Sequence, residues 1–268
     1  MGTEKKSTKH HRGRRKKRAK NSLVTNIVLA VAAVVFCVSA FQLIKIVKGY
    51  MDGRGEYKEI ASLAVKNPDD KDKFRVDFDE LMKLNPDTIG WLRFHPEPSI
   101  INYPLVQGKD NQEYLHKTFK ANDNTLGTIF LNVDNRADFA DKNSIIYGHR
   151  MKDGSMFRHL WDYEDESFYR ENPYFYIYTP DRREITYQIF SVSKVGDDSK
   201  AYMTSFGSEA QFEEVVQIIK EAGLYDTKVD VKGEDMIVTL STCTAESDDN
   251  RLIVCGVKKK EVILLHEL

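Results

Sequence analysis

The chain has 268 residues, of which 41% are hydrophobic, which is enough for one sizeable domain and excludes a wholly disordered protein. The net charge of −1 hides an asymmetry, because residues 1–20 carry ten Lys or Arg and one acid, leaving 30 basic and 40 acidic side chains in residues 21–268. The folded part is therefore acidic, which argues against a nucleic acid as its partner.

An uncharged run of 24 residues follows the basic tail, from Asn21 to Ile44. As a helix it would measure about 36 Å, long enough to cross a bilayer. The positive charges before it predict a cytoplasmic N-terminus and an extracellular remainder, on the cell membrane. A cleavable signal peptide is the alternative, because Val38-Ser39-Ala40 resembles a cleavage site. The apolar run continues past that site to Val47, which favours an uncleaved anchor.

The chain is predicted to divide into four parts. They are a basic cytoplasmic tail (1–20), a transmembrane anchor (21–47), a stalk or N-terminal helical spacer (48–76) and a folded domain (77–268). The spacer is charged and only weakly periodic. Asp77 and Glu80 form a capping-box pattern that begins the first helix of the folded domain.

Eight short β-type runs make up most of the folded domain. They are IGWLRF, SIINYPLV, GTIFLN, NSIIYG, YFYIYT, EITYQIFSVSKV, MIVTLST and RLIVCGV. One clear helix interrupts them, with Ser208 and Gln211 as its capping box and an apolar stripe of Phe212, Val215, Val216 and Ile219. This pattern predicts a mostly β fold, a closed antiparallel β-barrel of about eight strands with a few peripheral helices.

The three cysteines lie in different sequence environments. Cys37 lies in the apolar N-terminal run, and Cys255 lies within LIVCGV, where a small buried hydrophobe is the expected role. Cys243 lies where the run MIVTLST ends and a polar loop begins, on the same strand face as Thr239 and Ser241. A thiol at that position suggests a nucleophile, although a disulfide between Cys243 and Cys255 is the alternative.

A thiol nucleophile needs a proton carrier, usually a histidine. Of seven histidines, His149 stands out because it closes the strand NSIIYG directly after Gly148. Arg251 begins the strand after the cysteine loop, and its guanidinium is suited to hold a carbonyl or an oxyanion. A surface arginine is the ordinary interpretation. Asp248, Asp249 and Asn250 compete for a third role, orienting the histidine, and spacing does not choose among them.

TLSTC followed by Arg251, with YGH upstream, resembles the sortase family, which are membrane-anchored cysteine transpeptidases of Gram-positive cell surfaces. The resemblance covers most of residues 77–258. Its class B branch is indicated by the segments FDELMKLNPDTIGWL, INYPLVQGKDNQEYL, GTIFLN and NSIIYGHRMKDGSMF, and by the helix before the cysteine strand.

The resemblance implies a sortase-like barrel in which Cys243 is the nucleophile, His149 the acid/base and Arg251 the oxyanion or substrate-positioning group. It also implies four residues near bound substrate, which are Asn111, Leu115, Tyr202 and Ser241. It implies no metal and no cofactor.

The implied reaction cleaves a C-terminal sorting motif of secreted proteins through a thioacyl-enzyme on Cys243. The acyl group then passes to an amine of the cell-wall peptidoglycan precursor. Two alternatives use the same chain differently: a hydrolytic surface cysteine peptidase with the same residues, or a non-catalytic surface binding module. The short loop before Arg251, and Thr244 where some relatives have an acid, leave the sorting motif open.

Overall fold

A computed structural model describes residues 10–243 and 250–264, with side chains described for residues 24–242 and 251–264. The chain divides into two compact units, with the boundary between Gly49 and Tyr50. Helix α1 (His10–Ala64) begins in the first unit. Within the described residues, one helical stretch, Val24–Ala64, is long and apolar enough to cross a membrane. Apolar side chains of the first unit, such as Phe36 and Phe41, are exposed. The predicted N-terminal apolar helix is therefore confirmed as a helix.

The second unit is built around a closed barrel of eight strands in the described residues. The helices after α1 are α2 (Phe78–Leu84), α3 (Glu166–Glu171) and α4 (Glu209–Glu221), and 3₁₀ helices span Glu113–Leu115, Phe157–Glu164 and Lys200–Tyr202. The strands are β1 (Val65–Lys66), β2 (Arg75–Val76), β3 (Thr88–Phe94), β4 (Asn102–Val106), β5 (Ile129–Leu131), β6 (Asn143–His149), β7 (Tyr174–Tyr178), β8 (Arg183–Gly196), β9 (Ile237–Cys243) and β10 (Asn250–Ile263). Strands β1 and β2 pair only with each other, and the barrel order is β10-β8-β7-β3-β4-β5-β6-β9.

All eight predicted β-type runs form barrel strands, so the closed eight-stranded barrel is confirmed. The barrel is not wholly antiparallel, because β4 pairs with β5 and β6 pairs with β9 in parallel. Parallel neighbours need a crossover connection, and the long segment between β4 and β5 supplies one. That segment includes the 3₁₀ helix Glu113–Leu115.

The two predicted helix starts are also confirmed. Asp77 Oδ1 accepts a hydrogen bond from the Glu80 backbone N–H at 3.2 Å, and Ser208 Oγ accepts one from the Gln211 N–H at 3.2 Å. The apolar stripe of α4 is buried in a cluster with side chains of β8, β9 and β10, among them Ile253. Helix α4 therefore covers one face of β8, β9 and β10, including the strand that ends at Cys243.

Residues 48–76, which the sequence assigns to a stalk or helical spacer, contain the end of α1 and the β1–β2 hairpin. Tyr57, Ile60 and Phe74 from this segment are buried in the same hydrophobic cluster as the barrel interior. The segment is helical as far as Ala64, and the buried contacts of the second unit begin well before Asp77.

A buried asparagine at the start of β6 joins three parts of the barrel wall. Asn143, at the start of β6, donates from Nδ2 to the carbonyl oxygens of Ala201 at 3.0 Å and Met203 at 2.9 Å. Its Oδ1 accepts from Thr239 Oγ1 at 2.9 Å. One side chain therefore joins β6, β9 and the 3₁₀ turn that contains Tyr202.

We expect Asn143→Ala to lower the free energy of unfolding by about 3 kcal/mol, because it leaves two buried carbonyls and one hydroxyl without their partner. The neighbouring Ser144 is a matched control. Its hydroxyl is buried without a hydrogen-bond partner in the described part of the chain, so Ser144→Ala should change stability by less than about 0.5 kcal/mol. Urea unfolding of both full-length variants in detergent measures this difference. Equal losses in the two variants would contradict the role given to Asn143.

Candidate active site

The candidate nucleophile and the candidate proton carrier lie at adjacent strand ends. Strands β6 and β9 pair in parallel from Asn143 opposite Ile237 to His149 opposite Cys243. Both strands end at this last pair. The Cys243 side chain lies outside the described part of the structure. The backbone register nevertheless makes His149 and Cys243 direct neighbours across two hydrogen-bonded strands.

His149 is held in a defined orientation. Its side chain is buried, with the residue 8% exposed, and its Nε2 lies 2.6 Å from the carbonyl oxygen of Leu115. A carbonyl oxygen can only accept, so Nε2 carries a proton and donates it. In the neutral ring the remaining nitrogen, Nδ1, is then the one that takes up or releases a proton.

Gly148 explains why the strand can bring His149 this close to the barrel wall. A methyl group placed on Gly148 would lie 2.5 Å from Ile129 Cδ1 and 2.7 Å from Phe157 Cδ2. Side chains of neighbouring elements fill that space, so the position before the histidine must stay without a Cβ.

Arg251 reaches the same region from β10. In the antiparallel pairing of β9 with β10, Ile253 lies opposite Ser241. Arg251 is two residues before Ile253 on β10, and Cys243 is two residues after Ser241 on β9, so both residues lie at the same end of this strand pair. The Arg251 guanidinium, 25% exposed, has its Nη2 3.8 Å from Asp197 Oδ2, and Asp197 is 68% exposed. An ion pair this long and this solvated is weak, so Asp197 does not fix the guanidinium in place.

A groove with a volume of about 480 Å³ joins these groups. Its lining includes Asn111, Gln112, Leu115, His116, Phe130, Tyr147, His149, Asp197, Tyr202 and Arg251. Three of the four residues that the resemblance implied for substrate contact, Asn111, Leu115 and Tyr202, therefore lie along it. The fourth, Ser241, is fully buried and reaches the groove only through Tyr202.

Tyr202 forms part of an aromatic wall. Its ring stacks on that of Tyr147 with centroids 6.4 Å apart, and the Tyr147 ring lies 5.3 Å from that of Phe130. The Tyr202 hydroxyl lies 2.9 Å from Ser241 Oγ. Burial raises the pKa of Tyr202 above its usual range, so this hydroxyl stays neutral and can donate a hydrogen bond.

The side chain of Asn111 is held in place by hydrogen bonds of its amide group. Its Oδ1 accepts from the Val133 N–H at 2.8 Å, and its Nδ2 lies 3.3 Å from Asn132 Oδ1. Both partners lie directly after β5, so the Asn111 end of the groove is anchored to the barrel.

Sequence reasoning did not assign five of the groove residues. Tyr147 was open to prediction, because it lies two residues before His149 and so shares its strand face. Gln112 and His116 adjoin Asn111 and Leu115 in the chain, and Phe130 lies in a predicted strand. Asp197 carries no signal in the sequence, because its approach to Arg251 depends on how β8 and β10 pair.

Cys255 is a free thiol with no exposure, as expected for a core residue, and its Sγ lies 3.6 Å from Thr239 Oγ1. Burial raises its pKa to about 12, so it stays protonated at neutral pH and is a poor nucleophile. Asp248 and Asp249, the rivals for orienting the histidine, lie outside the described residues, as does the Asn250 side chain. The described residues contain no group of three or more His, Cys, Asp or Glu that could hold a metal ion.

Comparison with known proteins agrees with this geometry. Residues 97–259 match the family model of the sortase domain. The chain belongs to the sortase family. It is 37% identical over 207 residues to sortase B of Listeria monocytogenes, covering 76% of this chain and 81% of that protein.

Two solved structures extend the similarity to the fold. Sortase B from Bacillus anthracis matches with a TM-score of 0.70 and 32% identity, over 80% of this chain and 100% of that one. A substrate complex of Staphylococcus aureus sortase B matches with a TM-score of 0.68 and 26% identity, over 78% and 97% of the two chains. The chain is therefore a class B sortase and a cysteine transpeptidase. Membership of an enzyme family removes the alternative of a non-catalytic binding module.

Proposed function

We propose that the Cys243 thiolate attacks a backbone carbonyl of a sorting motif near the C-terminus of a secreted protein. The observation that carries this proposal is the β6–β9 register, which makes His149 and Cys243 strand neighbours at one end of a groove. A cysteine and a histidine on neighbouring strand ends are the pair of residue types that acyl transfer needs.

His149 and Arg251 take the two supporting roles. As the tetrahedral intermediate collapses, the C–N bond breaks and His149 gives a proton from Nδ1 to the leaving amine. The Arg251 guanidinium stabilises the oxyanion. The hydrogen bond from Nε2 to Leu115 supports this assignment, since it leaves Nδ1 for the proton transfer.

The groove is the proposed binding site for the sorting motif. Asn111, Leu115 and Tyr202 line it, and Ser241 Oγ supports the Tyr202 hydroxyl at 2.9 Å. The similarity to a sortase B solved as a substrate complex supports a peptide in this groove. The polar Asn111 amide and Tyr202 hydroxyl suit a peptide backbone, and the aromatic wall suits its apolar side chains.

The acyl group is proposed to pass from Cys243 to an amine of the peptidoglycan precursor. The amine attacks the thioester carbonyl and gives up a proton to Nδ1 of the neutral His149, the C–S bond breaks, and Cys243 leaves as the thiolate. Water in place of the amine gives the hydrolytic alternative with the same residues. Helix α1 is proposed to anchor the enzyme in the membrane, where the secreted protein and the precursor both arrive.

We expect His149→Ala to lower the rate of transfer to an amine by at least about a hundredfold, because the leaving group loses its proton donor. The thiol of this variant should still react with a small alkylating reagent. Cys243→Ala should lose both reactions. The assay follows one sorting-motif peptide with and without a triglycine acceptor, using full-length enzyme in detergent, so that transfer and hydrolysis products are separated.

Two matched controls accompany these variants. His159→Ala removes a histidine that pairs with Asp162 and does not line the groove, and Cys255→Ala removes the buried thiol. Both should retain near wild-type transfer. Transfer that survives in His149→Ala would move the acid/base role to His116, and loss in Cys255→Ala but not in Cys243→Ala would reassign the nucleophile.

Arg251→Lys should lower the transfer rate by on the order of a hundredfold, as for loss of one oxyanion donor, because an ammonium lacks the angled donors of a guanidinium. Arg170→Lys is the control. Arg170 lies on α3 in an exposed pair with Glu166, and its replacement should leave the rate unchanged. Near wild-type turnover in Arg251→Lys would exclude Arg251 from oxyanion binding.

The membrane proposal predicts an uncleaved anchor with a cytoplasmic N-terminus. Protease added to intact protoplasts should digest the chain after residue 50 and spare an epitope placed before residue 20. The same epitope should become sensitive once the membrane is permeabilised. A mature protein whose N-terminal sequence begins at Phe41 would instead establish a cleaved signal peptide.

A further inference from the structure

The last turns of α1 contact the barrel beside the candidate active site. Tyr57 is buried, with 7% exposure. Its hydroxyl donates to the carbonyl oxygen of Gly127 at 2.6 Å and lies 3.1 Å from Thr128 Oγ1. Burial raises the pKa of Tyr57 well above its usual range, so the hydroxyl keeps its proton throughout the working pH of the enzyme.

Gly127, whose carbonyl oxygen accepts this hydrogen bond, also lies next to His149. Its φ of +61° is in the left-handed region. A methyl group placed on it would lie 2.8 Å from the Leu115 carbonyl oxygen and 2.9 Å from His149 Cδ2. The backbone that Tyr57 holds is therefore in contact with both the imidazole and the carbonyl that orients it.

Thr128 ties the same backbone to the segment that contains Leu115. Its N–H donates to the Tyr114 carbonyl oxygen at 2.9 Å, and its Oγ1 donates to the Lys117 carbonyl oxygen at 2.7 Å. These two bonds lie on either side of Leu115. A shift of residues 127–128 would therefore move the Leu115 carbonyl as well.

Glu56, the residue before Tyr57, fixes the rest of this loop. Its carboxylate accepts from Thr118 Oγ1 at 2.9 Å, from the Lys120 N–H at 2.8 Å and from Asn122 Nδ2 at 3.0 Å. Hydrogen bonds to a charged acceptor are stronger than neutral ones. Three of them converge on one side chain of α1.

We propose that Tyr57, supported by Glu56, is a positioning residue for His149. It holds Gly127 and the Leu115 carbonyl so that Nε2–H of His149 has its acceptor and Nδ1 is left for the proton transfer. The inference rests on the proposed acid/base role of His149. It gives the end of α1 a part in acyl transfer in addition to its packing on the barrel.

Removing the Tyr57 hydroxyl should change the titration of His149. The Leu115 carbonyl stabilises the charged imidazolium more than the neutral ring, so a looser contact lowers the pKa of His149. Among the described side chains, the titratable and charged groups near His149 include His116, at 6.4 Å between ring centroids, and Arg251 and Asp197 along the groove. Substitution of Tyr57 by Phe alters none of these groups.

The test compares Tyr57→Phe with Tyr163→Phe in the full-length enzyme in detergent. Tyr163 is a matched control, because it is fully buried and its hydroxyl donates to the Asn172 carbonyl oxygen at 2.8 Å, away from the groove. The readouts are kcat and KM for one sorting-motif peptide, the thermal midpoint, and the His149 titration midpoint from NMR of histidine labelled at Cε1.

For Tyr57→Phe we expect kcat to fall on the order of tenfold, KM to change less than about twofold, and the His149 midpoint to fall by about half a pH unit. Tyr163→Phe should keep kcat and the His149 midpoint, even where its thermal midpoint falls equally. An unchanged His149 midpoint in Tyr57→Phe, or equal effects in both variants, would overturn the proposal.

A replacement variant and a readout that does not depend on catalysis complete the test. If Tyr57→Phe does not fold, Glu56→Gln takes its place, and an unchanged His149 midpoint in that variant overturns the proposal. The NMR midpoint does not depend on catalysis. Transfer that persists in His149→Ala would refute the acid/base role of His149. The His149 titration midpoint in Tyr57→Phe would still show whether Tyr57 positions the ring.

Discussion

The parallel pairing of β6 with β9 is the contact on which the candidate active site depends. It joins two strands that are far apart in the chain and makes their last residues, His149 and Cys243, neighbours. Parallel neighbours must be linked by long crossover connections. The connection between β6 and β9 contains Asp197 and the 3₁₀ turn of Tyr202, so it also supplies part of the groove lining.

Next to this pairing, polar side chains of β9 are buried and form hydrogen bonds inside the protein. Thr239 and Ser241, on one face of β9, are fully buried and bond to Asn143 and Tyr202. A buried polar group is stable only when it is paired, so these contacts allow few alternative arrangements. They fix the 3₁₀ turn of Tyr202 against the strand of Cys243, and with it one wall of the groove.

Much of this could be predicted from the sequence, because it depends on local pattern. The caps at Asp77 and Ser208, the apolar stripe of α4 and the eight strands all follow from residue type and spacing. His149 could be singled out because it ends a strand after a glycine. Strand alternation places Ser241 on the same face as Cys243, and in the structure α4 and the Tyr202 turn cover the buried part of that face.

What could not be predicted depends on contacts between distant parts of the chain. No local signal indicates that β6 and β9 run parallel, that Asp197 approaches Arg251, or that Tyr57 contacts Gly127. The charged and weakly periodic segment around Tyr57 is typical of a spacer. Its buried face becomes evident only when the loop that it covers is folded.

The central claim is that the strand end at Cys243 carries the acyl group, and trapping that group tests it most directly. Full-length enzyme in detergent would be incubated with a panel of sorting-motif peptides without an amine, quenched in acid, digested and mapped by mass spectrometry. The account predicts the acyl mass on the peptide that contains Cys243 and on neither peptide that contains Cys37 or Cys255. An acyl group on either of those cysteines, or transfer to an added amine with no adduct at Cys243, would contradict it.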